Sequence, residues 1–167
     1  MFEQLCEIPS DINEHLPTLR DLASECTHIT EMGVRKIVST WAFLEGMKEG
    51  TLVGVDILLP EYYGGDLGRF ERACKEKGID FKFIHGNTLY IDIEETDLLF
   101  IDTLHEYAQL KKELERHSDK ARKYLAFHDT ISCPELMLAI NELIAKGKWE
   151  VYKHNEFNNG CLILKRK

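Results

Sequence analysis

The chain has 167 residues, 44% of them hydrophobic and 30% charged, with a formal net charge of -8. That length suits a single domain, 1–167, with a sizeable core, and the acidic balance argues against a broad nucleic-acid-binding face. No apolar run approaches the length of a membrane span, and Met1 to Ser10 carries charges where a signal peptide needs an apolar core.

Taken in chain order, residues 1–27 form an N-terminal helical cap segment. Ser10 or Asp11 is placed to cap a helix through INEHLPTLRDLASEC, with Pro17 in its first turn. HITEM, His28 to Met32, is a short strand, and GVRKIVSTWAFLEGMKEG is a turn and a helix closing near Gly50. TLVGVDI is a strand ending at Asp56, and the loop LLPEYYGGD leads to a helix through LGRFERACKEKG. DFKFIHG and DLLFID are strands, with a helix from about His105 to Lys120 after the second. KYLAFHD is a fifth strand, and PELMLAINELIAKG is a helix that opens on proline and closes at glycine.

Strands alternating with helices imply a parallel sheet covered on both faces. The end of the chain breaks the alternation. WEVYKHNEFNNGCLILKRK holds two strand-like runs around Asn158-Asn159-Gly160, a strong hairpin signal, so the last strand runs antiparallel to its neighbour. The expected fold is α/β, a mostly parallel seven-stranded sheet with an antiparallel C-terminal strand and helices on both faces. The five cysteines are scattered without a CxxC pair, which predicts reduced thiols in a cytoplasmic protein rather than disulfides or a zinc site.

In an open parallel sheet, ligands bind beyond the carboxyl ends of the strands. EMGVRKIVST lies there, after the first strand, and keeps only Gly33 of the GxGxxG that a dinucleotide pyrophosphate requires. This counts against NAD or FAD and less against a cofactor without phosphates. Asp56, ending the second strand, is placed to accept both hydroxyls of a ribose, unless it is a solvated strand-end acid. Asn87 is placed either to meet an adenine edge or to stabilise a turn.

Two further strands finish on acids. LLFIDTLHEYAQLKKELE reaches Asp102 with His105 just beyond it, and YLAFHDT reaches His128 and Asp129. Neighbouring strands lie about 4.8 Å apart, so both carboxylates emerge at one sheet edge. They repel unless a proton or a cation is shared. A divalent ion is the simplest solution, and oxygen ligands favour Mg²⁺, Mn²⁺ or Ca²⁺. His105, near that edge, qualifies as a general base because imidazole titrates near neutral pH. The plainer reading makes His105 a surface residue and His128-Asp129 a hydrogen-bonded strand end. Trp41 and Phe43 belong to the core face of their helix, Tyr62-Tyr63-Gly64-Gly65 suits a substrate or lid loop, and His15 reads as a surface residue.

DINEHLPTLRDLA, EMGVRKIVSTWAF, GVD, FIDTLHEYAQLKKELE and AFHDT together resemble the small class I S-adenosylmethionine-dependent methyltransferases, whose fold is Rossmann-like. Within these the chain is most similar to the metal-dependent sugar O-methyltransferases. The resemblance implies that Glu31, Gly33 and Ser39 line the methionine end of the cofactor, that Asp56 holds the ribose and Asn87 the adenine, and that Asp102 adjoins the cofactor. It implies a metal, Mg²⁺ or Mn²⁺, held by Asp102, His128 and Asp129, and His105 at the general-base position. The family often has Glu at position 128; a histidine there suits Mn²⁺ better than Mg²⁺. It usually has a second glycine in the first loop and often Asp where Asn87 stands.

The expected function is therefore O-methylation of a hydroxyl on a sugar, glycan or related small molecule. A catalytically inactive methyltransferase-like binding or scaffold module is the alternative. A nucleotide-dependent oxidoreductase is opposed by the single glycine and the terminal hairpin. No nucleic-acid or membrane partner is expected, and assembly as a homo-oligomer or as a module of a larger protein is left open.

Overall fold

The computed structural model describes residues 1–167. Seven strands, β1 His28–Met32, β2 Thr51–Asp56, β3 Asp80–His85, β4 Thr96–Ile101, β5 Ala121–His128, β6 Trp149–Asn155 and β7 Cys161–Arg166, form one sheet in the order β3-β2-β1-β4-β5-β7-β6. β1 to β5 pair in parallel, while β7 is antiparallel to both β5 and β6. Six strands therefore run one way and β7 the other, as the hairpin signal predicts. The strand order reverses at β1 and β4, so their carboxyl ends flank the crevice where ligands settle in such sheets.

The central strands are buried on both faces, which is why they read as continuous apolar runs. Along β4, Leu98 and Phe100 join one core and Leu99 and Ile101 the other. The first core holds Leu16 and Leu19 of α2 (Leu16–Ala23), Phe43 of α3 (Val38–Gly46) and Phe70 of α4 (Leu67–Lys77). The second holds Leu110 and Leu114 of α5 (Tyr107–His117) with Ile140 and Leu143 of α6 (Leu136–Ala145). Helices thus cover both faces. None of them is long and apolar enough to cross a membrane.

The N-terminal segment departs from the sequence expectation. A short helix α1, Phe2–Glu7, precedes it, anchored by buried Phe2, whose ring lies under the Arg20 guanidinium. α2 begins only at Leu16, with Pro17 in its first turn, because a 3-10 turn over Asn13–His15 comes first. The Ser10 hydroxyl accepts from Asn13 N–H at 3.0 Å and so caps that turn rather than α2. α5 also starts later than expected, at Tyr107, which leaves His105 on the loop after β4.

Candidate functional site

The loop from β1 to α3 is fixed by backbone geometry. Gly33 (φ +90°) donates N–H to Val55 O at 2.9 Å, and a Cβ at this position would stand 1.9 Å from the Asp102 carbonyl oxygen. Only glycine allows β1 and β4 to converge here. Arg35 (φ 48°) and Ile37 (φ 67°) follow in the same left-handed region although neither is glycine. Non-glycine residues hold that conformation only where their surroundings enforce it. Asp56 holds the loop at Arg35: its Oδ2 accepts from Val34 N–H at 2.9 Å and Arg35 N–H at 2.8 Å, and its Oδ1 from Leu58 N–H at 3.0 Å, while Ile37 N–H donates to the Val34 carbonyl at 2.8 Å.

Two cavities meet at this loop, and Gly33, Arg35 and Asp102 line both. One, of about 420 Å³, is bounded by Asp56, Tyr63, Asn87 and Leu104. The other, of about 290 Å³, is bounded by Ser10, Asp11, Lys36 and Ser39. The Arg35 guanidinium pairs with Asp11 at 3.0 Å. Asn87 Oδ1 accepts from Leu89 N–H at 2.9 Å, so this side chain shapes its own turn as well as lining the cavity. Glu31 is fully buried on β1 and accepts from the Ser39 hydroxyl, while its Oε2 has no partner. Burial pushes its pKa up to about 8.

At the carboxyl ends of β4 and β5 the structure brings Asp102, His105, His128 and Asp129 together. His105 Nε2 lies 2.9 Å from Asp129 Oδ2 and 3.3 Å from Asp102 Oδ1. His128 Nδ1 lies 3.0 Å from Asp129 Oδ2 and 3.5 Å from Asp102 Oδ2. The other carboxylate oxygen of Asp129, Oδ1, is occupied: Ser132 Oγ donates at 2.6 Å and Asn159 Nδ2 at 2.8 Å. Asp129 is itself left-handed (φ 59°), a further sign that this corner is over-determined. His128 Nε2 donates to the Asp11 carbonyl at 2.9 Å. That bond fixes the imidazole so that the buried Nδ1 faces two carboxylates, an arrangement that requires a proton or a cation between them.

The electrostatics follow from this crowding. Bonds to Asp102 and Asp129 raise His105 to about 10. Burial opposes the charge on His128, but the same two carboxylates override it and also raise that group to about 10. Burial opposes ionisation of Asp102 and Asp129 as well, yet bonds from both imidazoles hold them below the ordinary carboxylate range.

No family model and no curated protein matches the chain. Solved structures do. An O-methyltransferase from Bacillus cereus in complex with SAH superposes with a TM-score of 0.70 at 13% identity, over 92% of this chain and 81% of that one. Magnesium protoporphyrin IX methyltransferase from Synechocystis PCC 6803, with bound SAM, gives 0.66 at 12% identity over 94% and 82%. N-methyltransferase NodS from Bradyrhizobium japonicum, with S-adenosyl-L-homocysteine, gives 0.62 at 13% identity over 99% and 95%. The chain has the class I methyltransferase fold.

Within this methyltransferase fold the expected site residues lie toward the carboxyl ends of the strands or in the loops beside them, except Ser39, which is in the first turn of α3. Asp102, His128 and Asp129 offer ligand atoms within 4.8 Å of one another, and the buried Nδ1 of His128 faces both carboxylates, so this group fits a divalent cation. The cavities at Gly33 fit a nucleoside bearing an amino-acid arm, although Asp56 reaches the cavity with much of its hydrogen-bonding capacity already engaged.

Sequence reasoning missed the supports. Ser132 and Asn159 aim Asp129, and the Asp11 carbonyl orients His128. Asn159 was visible only as a turn residue. His15 is not on the surface: it is fully buried, stacked on Phe157 at 5.0 Å and edge-on to His128 at 5.7 Å. Desolvation lowers its pKa to about 4, so it packs there as a neutral ring. Trp41 and Phe43 do pack in or against the core.

Proposed function

We propose that the chain is an S-adenosylmethionine-dependent O-methyltransferase, metal-assisted, that methylates a hydroxyl of a sugar or related small molecule in the cytoplasm. The observation that carries this reading is the juxtaposition of the Asp102–His105–His128–Asp129 cluster with the cavities at Gly33, since Asp102 belongs to both. Cofactor-bound neighbours of the same fold support it. The choice of a sugar rests on the resemblance of the motifs, and the polar edge formed by Asp102, His105 and Asp129 is in keeping with a hydroxylated acceptor.

In this reading Asp56 and Asn87 border the nucleoside, and Glu31 with Ser39 underlies the methionine arm. The cofactor would supply an electrophilic methyl group, and a divalent cation held by Asp102, His128 and Asp129 would supply charge that lowers the pKa of the acceptor hydroxyl. The departing thioether is neutral, so one proton alone must be managed, that of the acceptor. His105 is placed to take it. It holds a free lone pair at neutral pH only when the charge of the two carboxylates beside it is neutralised, because those carboxylates are what keep it an imidazolium. Ser132 and Asn159 hold Asp129 in place, and Asp11 holds His128.

Titration calorimetry with S-adenosylmethionine and with S-adenosylhomocysteine, each with and without Mn²⁺, tests the reading. Saturable binding of either, strengthened by the metal, supports it. Absence of binding to both turns the reading to the catalytically inactive scaffold.

A further inference from the structure

The first turn after β5 returns to the cluster through a residue that the proposed reaction does not use. Cys133 N–H donates to the Asp129 carbonyl at 2.8 Å, closing one tight turn from the acid to the thiol. Its Sγ, His105 and Asp129 offer three ligand atoms within 4.8 Å of one another. A tetrahedral ion with bonds of roughly 2.0–2.3 Å needs its donors about 3.3–3.8 Å apart, so small side-chain rotations close the gap. Asp129 Oδ1 is already held by Ser132 and Asn159, which leaves Oδ2, 2.9 Å from His105 and 3.0 Å from His128, as the less engaged oxygen. Cys133 is partly exposed, unlike the buried Cys26, Cys74 and Cys161.

We propose that His105, Asp129 and Cys133 form a second cation site, selective for a thiophilic divalent ion of the zinc type. One sulfur, one imidazole nitrogen and one carboxylate oxygen suit zinc with an open fourth position. They do not suit Mg²⁺, which takes oxygen ligands. The set differs in this respect from Asp102, His128 and Asp129, which has no sulfur. On binding, the Cys133 thiol and the His105 imidazolium each give a proton to solvent as the sulfur–metal and nitrogen–metal bonds form. The two sets share Asp129, so zinc at Cys133 competes with a cation held by Asp102 and His128. The site stands on geometry alone; its inhibitory consequence rests on the proposed role of His105.

Cobalt(II) reports a thiolate ligand directly through a near-ultraviolet charge-transfer band. The metal alone is titrated into the full chain as wild type, Cys133→Ser and Cys6→Ser, the last as a control for the other partly exposed thiol. The expected result is a band in wild type and in Cys6→Ser that zinc displaces. The band is missing in Cys133→Ser, with zinc affinity lowered by about tenfold or more, since even residues behind the ligands cost 10–100-fold when lost. No band in wild type, or one that survives in Cys133→Ser, overturns the site. Methyl transfer that zinc leaves unaffected, in a protein showing the band, overturns the inhibitory consequence alone. A protein with the band and no transferase activity keeps the site and overturns the proposed function instead.

Discussion

Asn159 at the tip of the C-terminal hairpin donates its side-chain amide to Asp129 Oδ1 at 2.8 Å, across 30 positions of sequence. The antiparallel strand that marks this fold therefore also aims a carboxylate. Its Oδ2 is left for the two imidazoles, or for a cation. Removing the amide while keeping the turn isolates that effect. Asn159→Ala keeps the backbone carbonyl that accepts from Ile131 and Ser132. It is expected to weaken Mn²⁺ binding by about 10–100-fold, the usual cost of losing a group that orients a ligand. Calorimetry with Mn²⁺ measures it; unchanged affinity would show that Ser132 alone suffices.

Asp102→Asn removes a full charge at nearly constant shape. Mn²⁺ affinity is expected to fall by at least about tenfold. The same change should lower the pKa of His105, because the Asp102 bond is the largest cause of its rise. Nuclear magnetic resonance titration of the imidazole follows this without metal, and a His105 pKa that does not move would contradict the geometry.

The base assignment is tested by His105→Ala. Loss of a general base costs about 10²–10⁴-fold in turnover. In the metal-free wild type, His105 should stay protonated up to about pH 10, and diamagnetic Mg²⁺ should bring its titration down by offsetting the carboxylate charge. A variant with wild-type turnover removes His105 from the chemistry.

How much of this was legible beforehand depends on the range of each contact. β4 and β5 announced themselves because a doubly buried strand is a continuous apolar run, and the acids at their ends stood out against it. The parallel sheet then brings Asp102 beside Asp129 without further information. The supports carried no such signature. A backbone carbonyl such as that of Asp11 has no residue type to read, and it meets His128 across 117 positions. His15 is buried because Phe157 and His128 close over it from distant segments. α1 is six residues with one buried anchor, too little periodicity to detect. The second glycine that the first loop lacks says little about its backbone: Arg35 and Ile37 hold the left-handed conformation without it.

Glu31 gives a pH prediction. Its pKa is raised, largely by burial, from an ordinary 4.5 to about 8. Between those values the folded chain keeps a proton that the unfolded chain has lost, so the unfolded state binds fewer protons and stability falls as pH rises. The contribution is complete below pH 4.5 and gone above about 8. Glu31→Gln, which stays neutral, should flatten the decline in urea-denaturation stability across that window. An equally steep decline in the variant would place its origin elsewhere.

Arg35 sets a conformational preference against the ordinary ranking of residues. Its side chain contributes an exposed pair with Asp11 at 3.0 Å, worth about 0–1 kcal/mol. Arg35→Ala and Arg35→Gly both lose that pair, so the difference between them reports the backbone. Alanine keeps a Cβ in the left-handed region at φ 48°, where L-residues incur about 1–2 kcal/mol. Glycine avoids this but loses about 0.5–1 kcal/mol more chain entropy on folding. The balance favours glycine by about 1 kcal/mol, the reverse of the order in a helix or strand. Denaturant unfolding of the two variants measures it. If alanine proves the more stable, the loop does not hold Arg35 in the left-handed conformation, and Asp56 is not the group that enforces it.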